Sequence, residues 1–353
     1  MHTLQASSVI LISILLIAGC IPQMEEPETK GDSISKIEIL KQEVKKKQTE
    51  ESGPKEVIQG ENHPLSLKSF IEGEFIGSDF TIGNLLTDWG SHKSYYASYK
   101  SNGLKISTTW HIPNREGSFP LLILNHGYFP PNTYTNGYGF GREQKHFARH
   151  GYAVLHIDYR GYAYSDTDPE ALTGPRLGYM GYSADAVNAI KALEAAQIPN
   201  IDLSRVGMFG HSLGGGVTLN AILSAPELIH AAVLWGPVSA NYQDNYHKWT
   251  KDRMTRESKN IFESAFGPLN NPSSFKALSP LSYIDQLSVP LLIQHGTADE
   301  SCPIEWSRTL AKALSKTQAN YKYIEYEEFP HVFWNENWDI AIEEATKFFD
   351  QNL

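Results

Sequence analysis

From Pro120 onward the apolar residues alternate between two patterns. One is the short unbroken run, seen at Pro120–His126, Tyr152–Asp158, Arg205–Phe209, Ala231–Trp235 and Val289–His295. A run of this length between turn residues suits a strand buried on both faces. The other is helical: Gly139–His150, Ser183–Gln197 with Ser183 as its N-cap, Ser212–Leu223, Ile304–Leu314 and Trp338–Phe349. Tyr321–Tyr326 reads as an edge strand, and Leu104–Ile112 as a strand entered from a Ser101-Asn102-Gly103 hairpin turn. Strands and helices that alternate in this way predict an α/β fold, a mostly parallel sheet with helices on both faces. Residues 240–285 interrupt the alternation with a polar, partly helical stretch, a candidate cap insertion carrying Tyr242, Tyr246, Trp249 and Phe262. Those aromatics either line a pocket or bury a small core of their own.

The first sixty residues follow another logic. Val9–Ile17 is an apolar run short for a membrane span and of the length of a signal-peptide core. It leads into Ile17-Ala18-Gly19-Cys20, which resembles the bacterial lipobox. That resemblance implies removal of residues 1–19, acylation of Cys20 and anchoring to a membrane on the outer side of the cytoplasm. The alternative is a buried N-terminal strand or an uncleaved anchor. Residues 20–60 are rich in Glu, Lys, Gln, Pro and Ser without aromatics, which predicts a solvated tether with a transient helix at Ile34–Val44. The folded domain is therefore expected over 61–353. A net charge of −10 argues against a nucleic-acid partner, since phosphate binding needs a basic face. Two cysteines make no disulfide framework, and no C-x-x-C or H-E-x-x-H spacing suggests a metal.

The chemistry is concentrated at the ends of the predicted strands. Val206–Gly216 runs from strand to helix through Gly210-His211-Ser212-Leu213-Gly214, the G-x-S-x-G pattern of a nucleophile elbow. A serine hydroxyl needs a base to take its proton, and the base needs a carboxylate to hold its tautomer. Asp299 follows the strand ending at His295, and His331 follows the strand ending at Tyr326. The order Ser212, Asp299, His331 is that of α/β-hydrolases. Glu300 is the rival acid, one step further from its strand. Among 13 histidines, His211 is too close to Ser212 to serve as its base, and His126 and His295 are expected to brace their loops. An oxyanion needs two N–H donors. Leu213 N–H is the first; Tyr128, in His126-Gly127-Tyr128, is expected to supply the second by its N–H or its hydroxyl. Tyr128, Tyr134, Tyr138 and Phe140 either wall an acyl pocket or pack at the surface. Cys302 is expected to be a small buried thiol. Asp158-Tyr159-Arg160-Gly161 either contacts substrate or, the preferred reading, lets Arg160 tie loops together through carboxylates or carbonyls.

Y-K-S-N-G-L-K-I, P-L-L-I-L-N-H-G, H-G-Y-A-V-L-H-I-D-Y-R-G, G-H-S-L-G-G, H-G-T-A-D and F-P-H together resemble an α/β-hydrolase of the prolyl-oligopeptidase or dienelactone-hydrolase type, from about residue 95 to the end. The resemblance implies a Ser212–His331–Asp299 triad, backbone oxyanion donors at Tyr128 and Leu213, and no cofactor. Fewer than about a hundred residues are expected before the sheet, too few for the β-propeller that restricts substrates in that family. The expected activity is hydrolysis of a small ester, with a short peptide as the alternative substrate. A second class of reading is a non-catalytic surface lipoprotein that keeps the fold for binding.

Overall fold

The computed structural model describes residues 59–168 and 179–353. The leader, Cys20 and nearly all of the expected tether lie outside those residues. Among the described residues nine strands form one sheet: β1 (Gly77–Asp88), β2 (His92–Ser101), β3 (Leu104–Pro113), β4 (Phe119–Asn125), β5 (Ala153–Ile157), β6 (Ile201–His211), β7 (Ala231–Trp235), β8 (Leu291–Gly296) and β9 (Tyr321–Tyr326). Their order is β1-β2-β3-β5-β4-β6-β7-β8-β9. The first three strands form an antiparallel meander joined antiparallel to β5, and β5 through β9 run parallel.

Helices α1 (Leu67–Ile71), α2 (Gly141–Arg149), α3 (Met180–Ala196), α4 (Leu213–Ser224), α5 (Tyr242–Asn245), α6 (Arg256–Phe266), α7 (Ile304–Leu314) and α8 (Glu336–Asn352) accompany the sheet. The unbroken apolar runs are explained by burial on both faces. In β4, Leu121 and Ile123 join the core shared with α3 and α4, while Leu122 and Leu124 join the core shared with α2 and α8.

The α/β expectation is met, with local differences. β1 was not foreseen, because it lacks an alternating buried face: Ile82, Leu85 and Leu86 stay exposed at the sheet's edge. Helix α3 begins at Met180, so Ser183 is not its N-cap. Its hydroxyl instead shares one proton between Tyr179 O, a back-bond to the preceding turn that lets serine sit inside a helix, and Val217 O of α4, each at 3.1 Å.

The 240–285 segment folds into α5, a π-helical turn (Tyr246–Thr250), α6 and two 3₁₀ turns. Tyr242, Tyr246 and Phe262 bury a small core with Phe266 and Phe275. Trp249 turns onto Trp306 of α7, ring centroids 5.3 Å apart. Of the two readings left open for these aromatics, three rings take the private core.

Candidate active site

Strand β4 is where the winding of the sheet reverses: β5 lies on one side of it and β6 on the other. In open α/β sheets the crevice beyond the carboxyl ends of such a pair is where ligands bind. Here it is framed by the Gly127–Tyr128 exit of β4 and by Ser212 at the exit of β6, with Asn125 in register with Gly210.

Ser212 occupies φ 57°, ψ −121°, a backbone conformation that costs a side-chain-bearing residue about 1–3 kcal/mol and persists only where its surroundings enforce it. Three backbone hydrogen bonds do so here: Ser212 N donates to Trp235 O (3.0 Å), and Ser212 O accepts from Gly215 N (2.9 Å) and Val238 N (3.1 Å). Gly214 is required by close approach, since a Cβ there would lie 1.8 Å from Asn125 O. Gly127 packs directly on the serine: a Cβ on it would lie 3.2 Å from Ser212 Cβ. Leu213 opens α4, so its N–H has no intrahelical acceptor and shares the positive end of the helix dipole. The Tyr128 side chain is exposed. Of its neighbours, Tyr134 and Phe140 are buried while Tyr138 is exposed, so this loop divides between packing and surface.

Asp299, its side chain 1% exposed, accepts from His331 Nδ1 at 2.8 Å through Oδ2. The same oxygen meets His295 Nε2 at 3.1 Å. Oδ1 accepts from Ser301 N (2.8 Å) and Cys302 N (2.7 Å). Burial works to raise this carboxyl, but the hydrogen bonds from His295, His331 and Cys302 override it and hold its pKa well below the usual carboxylate range. Glu300 does not share that position. Its carboxylate accepts from the His331 backbone N–H at 3.2 Å, so it helps to hold the loop.

With His331 Nδ1 engaged by the carboxylate, its tautomer leaves the Nε2 lone pair free to accept a proton. Among the described residues no hydrogen bond joins Ser212 Oγ to His331. The serine hydroxyl instead neighbours the Cys302 thiol. Nucleophile and base commonly close their hydrogen bond only around a substrate. Burial, foremost, pushes the Cys302 thiol far up, so it stays protonated and inert.

His211 and His295 proved closer to the chemistry than the sequence indicated. His211 Nε2 donates to His331 O at 2.9 Å, and its ring lies against that of His331 with centroids 4.6 Å apart. Burial and the neighbouring His331 lower its pKa to about 3, so it packs there as a neutral ring. His295 spans Asp299, Cys302 O (2.9 Å) and Ser307 Oγ (2.7 Å). The available signal was position: both are strand-end residues beside members of the constellation. Arg160 bridges Asp185 at 2.8 Å and Asp168 at 3.0 Å, the loop-tying role expected of it.

This arrangement of sheet, crossover helices and strand-end loops is the α/β-hydrolase fold. The profile of the prolyl oligopeptidase family (peptidase S9) matches residues 138–353, and the chain belongs to that family. Among solved structures it is similar to acetyl xylan esterase 1 from Thermoanaerobacterium sp. JW/SL YS485, with a TM-score of 0.59 and 16% identity over 83% of this chain and 94% of that one. It is also similar to the Pyrococcus horikoshii acylaminoacyl peptidase, with a TM-score of 0.60 and 22% identity over 76% of this chain and 44% of that one. Among curated proteins it is 29% identical over 222 residues to the uncharacterized peptidase YuxL of Bacillus subtilis, covering 61% of this chain and 31% of that protein. The uncharacterized peptidase YtmA of the same organism is 23% identical over 244 residues, 68% of this chain and 86% of its own length. The chain thus spans about a third of the first of these relatives and most of the second.

Proposed function

We propose that this protein is a serine hydrolase that cleaves a carboxylic ester or amide bond through an acyl-enzyme on Ser212. His331 Nε2 takes the proton of the Ser212 hydroxyl as it attacks the carbonyl carbon, and returns that proton to the leaving alcohol or amine. Asp299 holds His331 Nδ1–H and stabilises the imidazolium that forms. Leu213 N–H and Tyr128 N–H receive the oxyanion, each such donor being worth about 10²–10³ in rate. Water, deprotonated by His331, then releases the acid. The observation that carries this reading is the buried Asp299 carboxylate held 2.8 Å from His331 Nδ1, beside a serine kept in a strained elbow.

Within that class, small esters are the preferred substrates and short peptides the alternative. All nine strands of the described residues lie in one sheet, and the insertion at 240–285 packs mainly on its own core. For the cell address we propose a lipid anchor on Cys20, supported by the Ile17–Cys20 sequence and the apolar run before it. A matched ester and amide with one acyl group, assayed with wild type and Ser212→Ala, tests the activity. Turnover of the ester, abolished in the variant, is expected. Amide turnover of similar kcat/KM would move the assignment to a peptidase. Silence on both from a folded protein would favour a binding module.

A further inference from the structure

Asp158, one residue beyond β5, is fully buried and has no cationic partner among the described residues. Four donors converge on it: Ser107 Oγ (2.6 Å), Tyr134 OH (3.0 Å), Asn136 Nδ2 (2.6 Å) and Gly137 N (2.9 Å). Burial pushes its pKa up to about 6 against the pull of those hydrogen bonds. Three of the four donors lie on one loop, the one that leaves Gly127–Tyr128. Its anchorage can be followed inward. Tyr134, held by the carboxylate, stacks on the His126 imidazole with centroids 4.7 Å apart and planes 23° apart. His126 faces two carbonyl oxygens, Gly127 O at 2.6 Å and Asp158 O at 3.3 Å. Burial lowers its pKa to about 4, so near neutral pH it has one proton to donate, and the nearer Gly127 O takes it. The Gly127 carbonyl and the Tyr128 N–H belong to one planar peptide and point in opposite directions. Fixing the carbonyl therefore fixes the aim of the N–H. Two residues on, Phe129 O accepts from Tyr162 OH at 3.1 Å.

We propose that Asp158 is a positioning residue of the hydrolase, which sets the Gly127–Tyr128 peptide plane through Tyr134 and His126 and so aims the Tyr128 N–H at the oxyanion. This rests on the reading of Ser212 as nucleophile. Its consequence is specific, because a donor aimed at charge that exists only in the transition state affects kcat and leaves ground-state binding alone.

The test uses the full chain with Asp158→Asn, which keeps the shape but turns an amide group toward donors, and Asn136→Ala, which removes one of the four contacts. Steady-state kinetics on a p-nitrophenyl ester are paired with the affinity of a trifluoromethyl ketone, which forms a hemiketal oxyanion on serine. For Asp158→Asn we expect kcat to fall about 10- to 100-fold with KM within about threefold, and ketone affinity to fall with kcat/KM. Asn136→Ala is expected to show the same signature at about a few-fold loss. If Asp158→Asn does not fold, Asn136→Ala decides alone. Folded variants with unchanged kcat, or with altered KM and unchanged ketone affinity, would overturn the proposal. The Ser212→Ala control separates this outcome from failure of the hydrolase reading, because turnover surviving in that variant would remove the nucleophile itself.

Discussion

Two imidazoles share one oxygen of Asp299. In the proposed mechanism His331 carries the proton, while His295 ties the loop bearing Asp299 to α7 through Ser307. Asp299→Asn would present an amide where His331 Nδ1–H needs an acceptor, favouring the wrong tautomer. Under the proposed mechanism kcat should fall by about 10⁴ with KM little changed, as measured by steady-state ester hydrolysis. Less than a tenfold loss would place the acid elsewhere, with Glu300 the next to test. The strand-end placement of Ser212 and the pairing of Asp299 with His331 were legible in the sequence, because strand-end position is itself a signal. The packing of His211 and the proposed role of Asp158 were not, since each depends on contacts between segments 21 to 120 residues apart that no local pattern encodes.

At the scale of elements, strands β3 to β5 carry an unusual cargo. His111 and His156 are buried within them, and His126 stands at the exit of β4. His126 and His156 stack with centroids 5.6 Å apart. Burial, foremost, lowers all three, His111 and His126 to about 4 and His156 well below its ordinary value. In the unfolded chain each titrates near 6.5, so below that pH the unfolded state binds more protons and stability falls as pH falls. The slope is about 1.4 kcal/mol per pH unit for each, down to the folded value. Asp158 works in the opposite sense, its raised carboxyl favouring the folded state as pH drops through 6, but the histidines outnumber it. Tm should therefore fall steeply between pH 6.5 and pH 4. Both ring nitrogens of His156 lack a partner among the described residues, so His156→Leu should flatten that slope without lowering Tm at pH 7.5. A wild-type Tm that is flat from pH 6.5 to 5 would contradict this account. The buried runs of β4, β5, β7 and β8 were legible because burial on both faces demands unbroken apolarity. β1 was hidden because it buries too little to leave a pattern, and α3 was placed late because a back-bonded Ser183 reads like a cap.

At the scale of the whole molecule, the family profile covers 138–353 and the sheet runs from Gly77 to Tyr326, while the proposed address is written in residues outside those described. If Cys20 is acylated, detergent extraction of membranes should yield a protein whose intact mass begins at a lipid-bearing Cys20, and Cys20→Ala should move it to the soluble fraction. A mass that retains an unmodified Met1 would refute the anchor. The placement of Asp299 and His331 on loops after β8 and β9 has a consequence for how the molecule is made. Ser212 leaves the ribosome well before Asp299, and His331 emerges last of the three. The elbow is enforced by β4, β6 and β7, yet under the proposed mechanism its serine stays inert until the final strand has been translated and added. Partial translation products would therefore be harmless to surrounding esters, and reactivity would arise only with completion of the fold.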